Sequence, residues 1–490
     1  MSGQENRAPE AELGLLDATM IGMGAMIGAG IFVLTGLAAD IAGPAALLVF
    51  VLNGVVTAFT GLSYAELAAA IPKSGGGYAF VREVFDDLPS FLMGWMLWFA
   101  YMIAGALYAL GFAPNFLELL HVLGDFPAPE AVGAVVVPGV GVGVPAGVGL
   151  AFLAVLFFVA LNAASTAASG SVETVFTATK VAILLVFVGF GFLSASGTAG
   201  EYSFTLQEFD PLFPADAGPL AVLPAMGLTF IAFEGYDLIT TVTEEVENPR
   251  ENIPKAIFVS LAATVVVYMA VVTVAIGTLG AEGLAEAGEA GIAEAATKFM
   301  PTVPVVGING GAVIVFGAVF STLTALNAVV IASSRVAFSM GREGQLLPSV
   351  GQLHHRYGTP FVAIVASAVV MLGSVVLPTK SAGNMSSLFF LLSFVVVNVA
   401  VVKLRRERPD MNRPYEVPYY PLPPVLGVVL NLLLTGVLVV FLVRTDPLAL
   451  ALSVGWILLG GVAYVALNRF RASRDIGGAT GTDITAGEGD

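Results

Sequence analysis

The sequence predicts an all-α polytopic membrane protein: two five-helix repeats of opposite topology followed by two added helices, twelve transmembrane helices in all. Three observations predict it. The chain of 490 residues is 57% hydrophobic and only 11% charged, with a mean hydropathy of +0.89, too little charge to solvate a soluble surface of that size. Charge-poor segments of bilayer-spanning length recur twelve times. Alternating those spans puts 16 of the 20 lysines and arginines on one side and 3 on the other, with Lys180 inside a span. The basic side is then cytoplasmic and holds both termini, which makes a multi-pass cell-membrane protein.

Composition also excludes. With no cysteine there is no disulfide, thiol nucleophile or cysteine-ligated metal. The three histidines, His121, His354 and His355, fall in expected loops without an HExxH pattern. No enzyme, metal, cofactor or nucleic-acid partner is expected. The polar first fifteen residues lack a small-residue cleavage site, so no cleaved leader is expected. No charged pore ring marks an ion channel, and no signalling domain marks a substrate sensor. The net charge of −16 with 14 arginines against 6 lysines points to a salt-adapted, haloarchaeal host, in which acidic surface stays soluble; ordinary variation in acidic loops is the alternative.

In order, the spans are expected at about 16–38, 43–70, 88–118, 147–169, 172–195, 218–243, 255–280, 302–340, 360–378, 383–403, 424–443 and 447–468. An N-terminal segment, 1–14, precedes the first repeat, 15–200; the second repeat is 201–408, the added pair 409–468, and a disordered acidic tail 469–490. Two spans are poor continuous helices. The first reads IGMGAMIGAGIFVLTG over Ile21–Gly36, and interior glycines each cost about 1 kcal/mol relative to alanine. The sixth carries Glu234, Gly235 and Asp237 at mid-depth. Interrupted spans at matching positions of two halves point to an inverted-repeat transporter with its site at the midplane.

Ile27, Gly28, Ala29 and Gly30 have two readings. Gly24 and Gly28 form a GxxxG packing seam, or the stretch unwinds and its freed N–H groups bind a carboxylate at the start of a half-helix. The matching break in the sixth span favours the second. There Ile231, Ala232, Phe233, Glu234 and Gly235 would supply the other half of the site, with unwound carbonyls for an ammonium group. Glu234 is either a satisfied network member or a contact to a polar or cationic substrate group, and Asp237 is placed to cap the following half-helix. Lys180, deep in the fifth span, either snorkels to the interface or exchanges a proton during the cycle, since burial disfavours its charged form. Ser333 and Ser334 are possible coupling-site neighbours of Lys180, or hydroxyls bonded back to their own helix.

The motifs IGMGAMIGAGIF, LSYAELAAAIPKSGGGYAFVREVF, FIAFEGYDLITTVTEEVENPRENIPKAI, SSRVAFSMGREGQLLP and RPDMNRPYEVP, in this order, resemble those of the amino acid–polyamine–organocation (APC) superfamily, over Leu13–Asn468. The resemblance implies the LeuT-type fold of five plus five helices with helices 1 and 6 discontinuous, and alternating-access transport of amino acids or related amines. It implies carboxylate binding at Gly28, Ala29 and Gly30 and ammonium binding by carbonyls of Ile27, Ile231, Ala232 and Glu234. Lys180 is similar to the proton-linked lysine of the cationic-amino-acid-transporter-like branch. This chain departs in having Ile231 where an aromatic gate is common, flanked by Phe230 and Phe233, and a glutamate at 234 where small or apolar residues are common. The expected function is a secondary amino-acid transporter, proton-coupled; an exchanger, a polyamine carrier and a transporter-like sensor are the alternatives.

Overall fold

The computed structural model describes residues 13–73, 75–124, 126–127, 134–136, 143–164, 170–195, 204–215, 218–302 and 309–479. Among the described residues there are fifteen α-helices: α1 Leu15–Met26, α2 Ala29–Ala42, α3 Ala46–Ala70, α4 Gly76–Val84, α5 Asp87–Leu123, α6 Ala146–Ala164, α7 Gly170–Ala195, α8 Val222–Thr229, α9 Pro249–Ala287, α10 Gly291–Phe299, α11 Gly310–Arg342, α12 Phe361–Ser374, α13 Thr379–Glu407, α14 Leu422–Thr445 and α15 Pro447–Ala479. The expectation of an all-helical chain is corrected in one place. A short antiparallel pair, β1 Ala134–Val136 with β2 Gly143–Pro145, joins α5 to α6, in a valine- and glycine-rich stretch where β-branched residues suit a strand.

Among the described residues ten stretches are long and apolar enough to cross a bilayer. The first two expected spans run together in Leu15–Ala70, and the ninth is only the 14-residue α12, about 21 Å at 1.5 Å per residue. The tail expected from 469 continues α15 as helix to Ala479, with the good helix formers Arg471, Ala472 and Arg474 at its start. Residues 1–12 and 480–490, which hold Arg7 and the rest of the acidic tail, lie outside the described residues.

The fold brings α1 and α2 into the middle of the molecule, against α9, α11, α7 and α3. All three tryptophans gather at one peripheral joint. Trp95 and Trp456 stack at 4.6 Å, Trp456 stacks on Phe99 at 4.3 Å, and Trp98 packs edge-on to both tryptophans, which docks α15 on α5. On the face rich in basic residues, buried Glu66 of α3 accepts two hydrogen bonds from Arg405 of α13, at 2.7 and 2.6 Å, and one from the Val417 N–H at 2.7 Å. A buried carboxylate is tolerable when so fully engaged. The chain just ahead of α1 is tied to the same face at Leu13. Leu13 N–H donates to Glu245 O at 3.0 Å, and Glu247 N–H donates to Leu13 O at 2.9 Å.

Candidate functional site

The first span does break. Helix α1 ends at Met26 and α2 begins at Ala29, with Ile27 at φ −76°, ψ 56° and Gly28 at φ −96°, ψ −134°. A helix that stops inside a membrane leaves its last carbonyls without N–H partners. Three side chains from three other helices take them. Lys180 Nζ of α7 donates to Gly24 O at 2.8 Å, the Tyr268 hydroxyl of α9 donates to Met26 O, and the Ser321 hydroxyl of α11 donates to Ile27 O and lies 3.2 Å from Gly28 O. Lys180 is fully buried and also donates to Thr324 Oγ1 at 2.8 Å. Its Nζ stands at the C-terminal, negative end of the α1 dipole.

The second break differs in form. Helix α8 tightens into a 3-10 turn at Phe230–Phe233, Glu234 is extended at φ −69°, ψ 144°, and Gly235 takes φ +132°. The half-helix expected beyond it is a 3-10 helix, Leu238–Glu245. Three threonines turn their hydroxyls onto carbonyls three residues back: Thr240 onto Asp237, Thr241 onto Leu238 and Thr243 onto Thr240, at 2.6–2.8 Å. Such local bonds compete with the α-helical ladder. Asp237 occupies the cap position as expected, but its carboxylate faces backwards. It accepts from Gly235 N–H at 2.9 Å and from the Tyr101 hydroxyl of α5. The start of the break is pinned by Ser387 of α13, whose Oγ accepts from Ile231 N–H at 3.1 Å and donates to Leu228 O at 3.2 Å.

The two breaks meet. A Cβ on Gly30 would stand 2.6 Å from the Cβ and 2.7 Å from the Cα of Ala232, and one on Gly235 would stand 2.6 Å from Met26 N. Tyr268 joins them, its hydroxyl reaching both Met26 O and Ala232 O, the latter at 3.0 Å. Packing seam and broken span, posed as alternatives by the sequence, therefore coexist, because the glycines remove the side chains that would hold the breaks apart. Ile27, Gly28, Gly30, Ile231, Ala232, Phe233, Glu234 and Gly235 are all buried in one place, with the backbone of Ala29 opening α2 beside them. Phe233 packs edge-on to Tyr268 at 5.4 Å, and Phe230 packs on Phe394 at 6.0 Å.

Ser333 and Ser334 do not join this group. They lie nine and ten residues past Thr324 on α11, about 13–15 Å along the axis, and bond back to Val330 O and Ile331 O at 3.1 and 2.8 Å. Ser321 and Thr324, three residues apart on one face of the same helix, stand where those serines were expected. Sequence reasoning also missed Tyr268 and Tyr101. The available signal was a hydroxyl-bearing ring inside an otherwise apolar span, which a membrane tolerates when the hydroxyl finds a partner.

An α-helical, multi-pass membrane protein with two broken helices meeting at its centre is the class that these features define. The amino acid permease family model matches residues 13–465, and the chain belongs to that family. It is 30% identical to the branched-chain amino acid permease BcaP of Bacillus subtilis, over 94% of this chain and 93% of that one. It is 27% identical to the serine/threonine exchanger SteT of the same organism, over 96% and 99% of the two chains. It is 29% identical to the Asc-type amino acid transporter 1 of Mus musculus, over 96% and 83%.

Proposed function

We propose that the protein is a secondary active transporter of amino acids, working by alternating access and driven by protons. Its basic face would be cytoplasmic, its substrate an amino acid or closely related amine. The observation that carries this reading is the α1 break, where buried Lys180 holds Gly24 O. The first-turn N–H groups of α2 have no intrahelical partners and would receive the substrate carboxylate. Carbonyls of Ile27, Ile231 and Ala232 keep a second lone pair for its ammonium group. Two acceptors, Gly24 O and Thr324 Oγ1, favour the lysine ammonium. Drawing α1 away from α7 removes one of them in a low-dielectric interior, which favours release of the proton. Binding and movement of the break are thereby linked to protonation.

The test is uptake of labelled amino acids and polyamines into proteoliposomes at high salt, with and without a pH gradient and with and without sodium. Proton-driven accumulation of at least one amino acid is expected, and Lys180→Ala should abolish it. Full pH-dependent uptake by that variant would refute the coupling role. Exchange is the second reading, favoured by the relative named as a serine/threonine exchanger; counterflow without a proton gradient separates the two.

A further inference from the structure

Three carboxyls are buried among the described residues: Glu66, Asp237 and Glu234. Glu66 is held by Arg405 and a main-chain N–H, and Asp237 by Tyr101 and the Gly235 N–H. Glu234 is 1% exposed, and neither of its carboxyl oxygens has a hydrogen-bond partner. An unengaged buried carboxyl is costly whether or not it is ionised, and the chain turns here through Gly235 and Asp237 rather than through a bond to Glu234.

Its position is specific. Glu234 lies one residue from Gly235, whose backbone rests on the end of α1. Tyr108 of α5 borders the first break, the edge of its ring 3.9 Å from where a Cβ on Gly28 would stand. The hydroxyls of Tyr236 and Tyr64 also lack partners, and their rings meet edge-on at 5.5 Å. Tyr236 is buried two residues beyond Glu234 in the same turn. Unengaged polar groups thus gather beside the two breaks.

We infer that Glu234 is a specificity-determining residue, accepting a hydrogen bond from the far end of the substrate and selecting amino acids whose side chains carry an O–H or N–H donor over apolar isosteres. The inference rests on the amino-acid site proposed above and deepens it. A carboxyl keeps an acceptor oxygen in either protonation state. A site built to hydrogen-bond a substrate group rejects the analogue lacking it far more strongly than an apolar pocket can reject an isostere.

The test compares uptake efficiency for threonine against its isostere valine, and for ornithine against norvaline, in the wild type, Glu234→Gln and Glu234→Met. The wild type should favour the donor-bearing member of at least one pair by about tenfold or more; the threonine arm identifies a hydroxyl, the ornithine arm an ammonium. Glu234→Gln should keep a threonine preference and lose an ornithine preference. Glu234→Met should bring the ratio to near one while still carrying the apolar member. Equal use of both members of both pairs by the wild type, or an unchanged ratio in Glu234→Met, would overturn the inference. Should Glu234→Met transport nothing, the thermal shift of the purified variant decides: stabilisation by valine or norvaline supports the inference, and stabilisation by neither overturns it. A wild type that carries no amino acid removes the amino-acid reading as well, an outcome distinct from a failed ratio.

Discussion

The two helix breaks do the same job by different means. The first is held from outside: Lys180, Tyr268 and Ser321 reach the α1 carbonyls from positions 156, 242 and 294 residues away in sequence. The second is held largely by its own neighbours. Glu234 N–H bonds Ile231 O, Leu238 N–H bonds Gly235 O, Asp237 takes the Gly235 N–H, and three threonines close the following turns. The difference teaches which break can move. The first has carbonyls whose partners sit on α7, α9 and α11, so a shift of α1 exchanges several bonds at once; the second is also tied to α5, α9 and α13 through Tyr101, Tyr268 and Ser387, but keeps its turns through local bonds of its own.

The comparison is broken most severely at Gly235. Gly235→Val places a side chain at φ +132° and against Met26 N, so the second break loses its turn and its contact with α1 together. A loss on the order of 3 kcal/mol or more is expected from backbone strain and overlap, with transport abolished, as checked by thermal unfolding in detergent and proteoliposome uptake. Next is Gly30→Val. Its Cβ overlaps Ala232, which separates the two breaks without disturbing the internal bonds of either; substrate binding should fall at least about tenfold while the protein still inserts. Wild-type affinity in that variant would mean that the two breaks need not touch.

Tyr268→Phe sharpens the distinction. It leaves buried Met26 O and Ala232 O without the shared hydroxyl and should cost about 1–3 kcal/mol, measured as a lowered unfolding midpoint. Thr243→Val, which deletes one of several local bonds at the second break, should cost less, about 1 kcal/mol; equal losses would dissolve the contrast. The smallest effect is expected remote from both breaks. Glu83 is paired with Lys73 at 2.8 Å and Arg408 at 3.0 Å, and the Lys73 hydrogen bond, against some burial and with help from Arg408, holds its carboxyl below the usual carboxylate range. Its contribution is present above that usual range and is lost as pH falls through the lowered value. Half-exposed pairs are screened, so Glu83→Gln should lower the midpoint only slightly at neutral pH and not at all in acid.

Legibility follows the same division. The second break was readable because Gly235 and Asp237 are poor helix formers set close together, and because Glu234 beside them is a carboxyl at a depth where a membrane makes it costly. The first was readable only as an ambiguity, since glycines serve close packing and unwinding alike. Its partners were read unevenly. Lys180 stood out because a lysine inside a span is costly, whereas Tyr268 and Ser321 look like ordinary members of their helices. The choice of Ser333 and Ser334 picked the right helix and the wrong turns, since every turn of a long apolar helix offers small hydroxyls of similar appearance.

The sequence by itself determined a polytopic helical membrane protein, the positions of both interruptions and the residue types gathered there, because hydropathy, helix propensity and charge are properties of short segments. Only the tertiary structure decided that the two interruptions press together through Gly30, Ala232 and Gly235, that Tyr268 bridges them, and that, of the three carboxyls buried among the described residues, Glu234 is the one left without a partner. Those facts depend on which helix faces come within a few ångströms of one another. In a membrane that is set by packing and by the need to satisfy every freed backbone group.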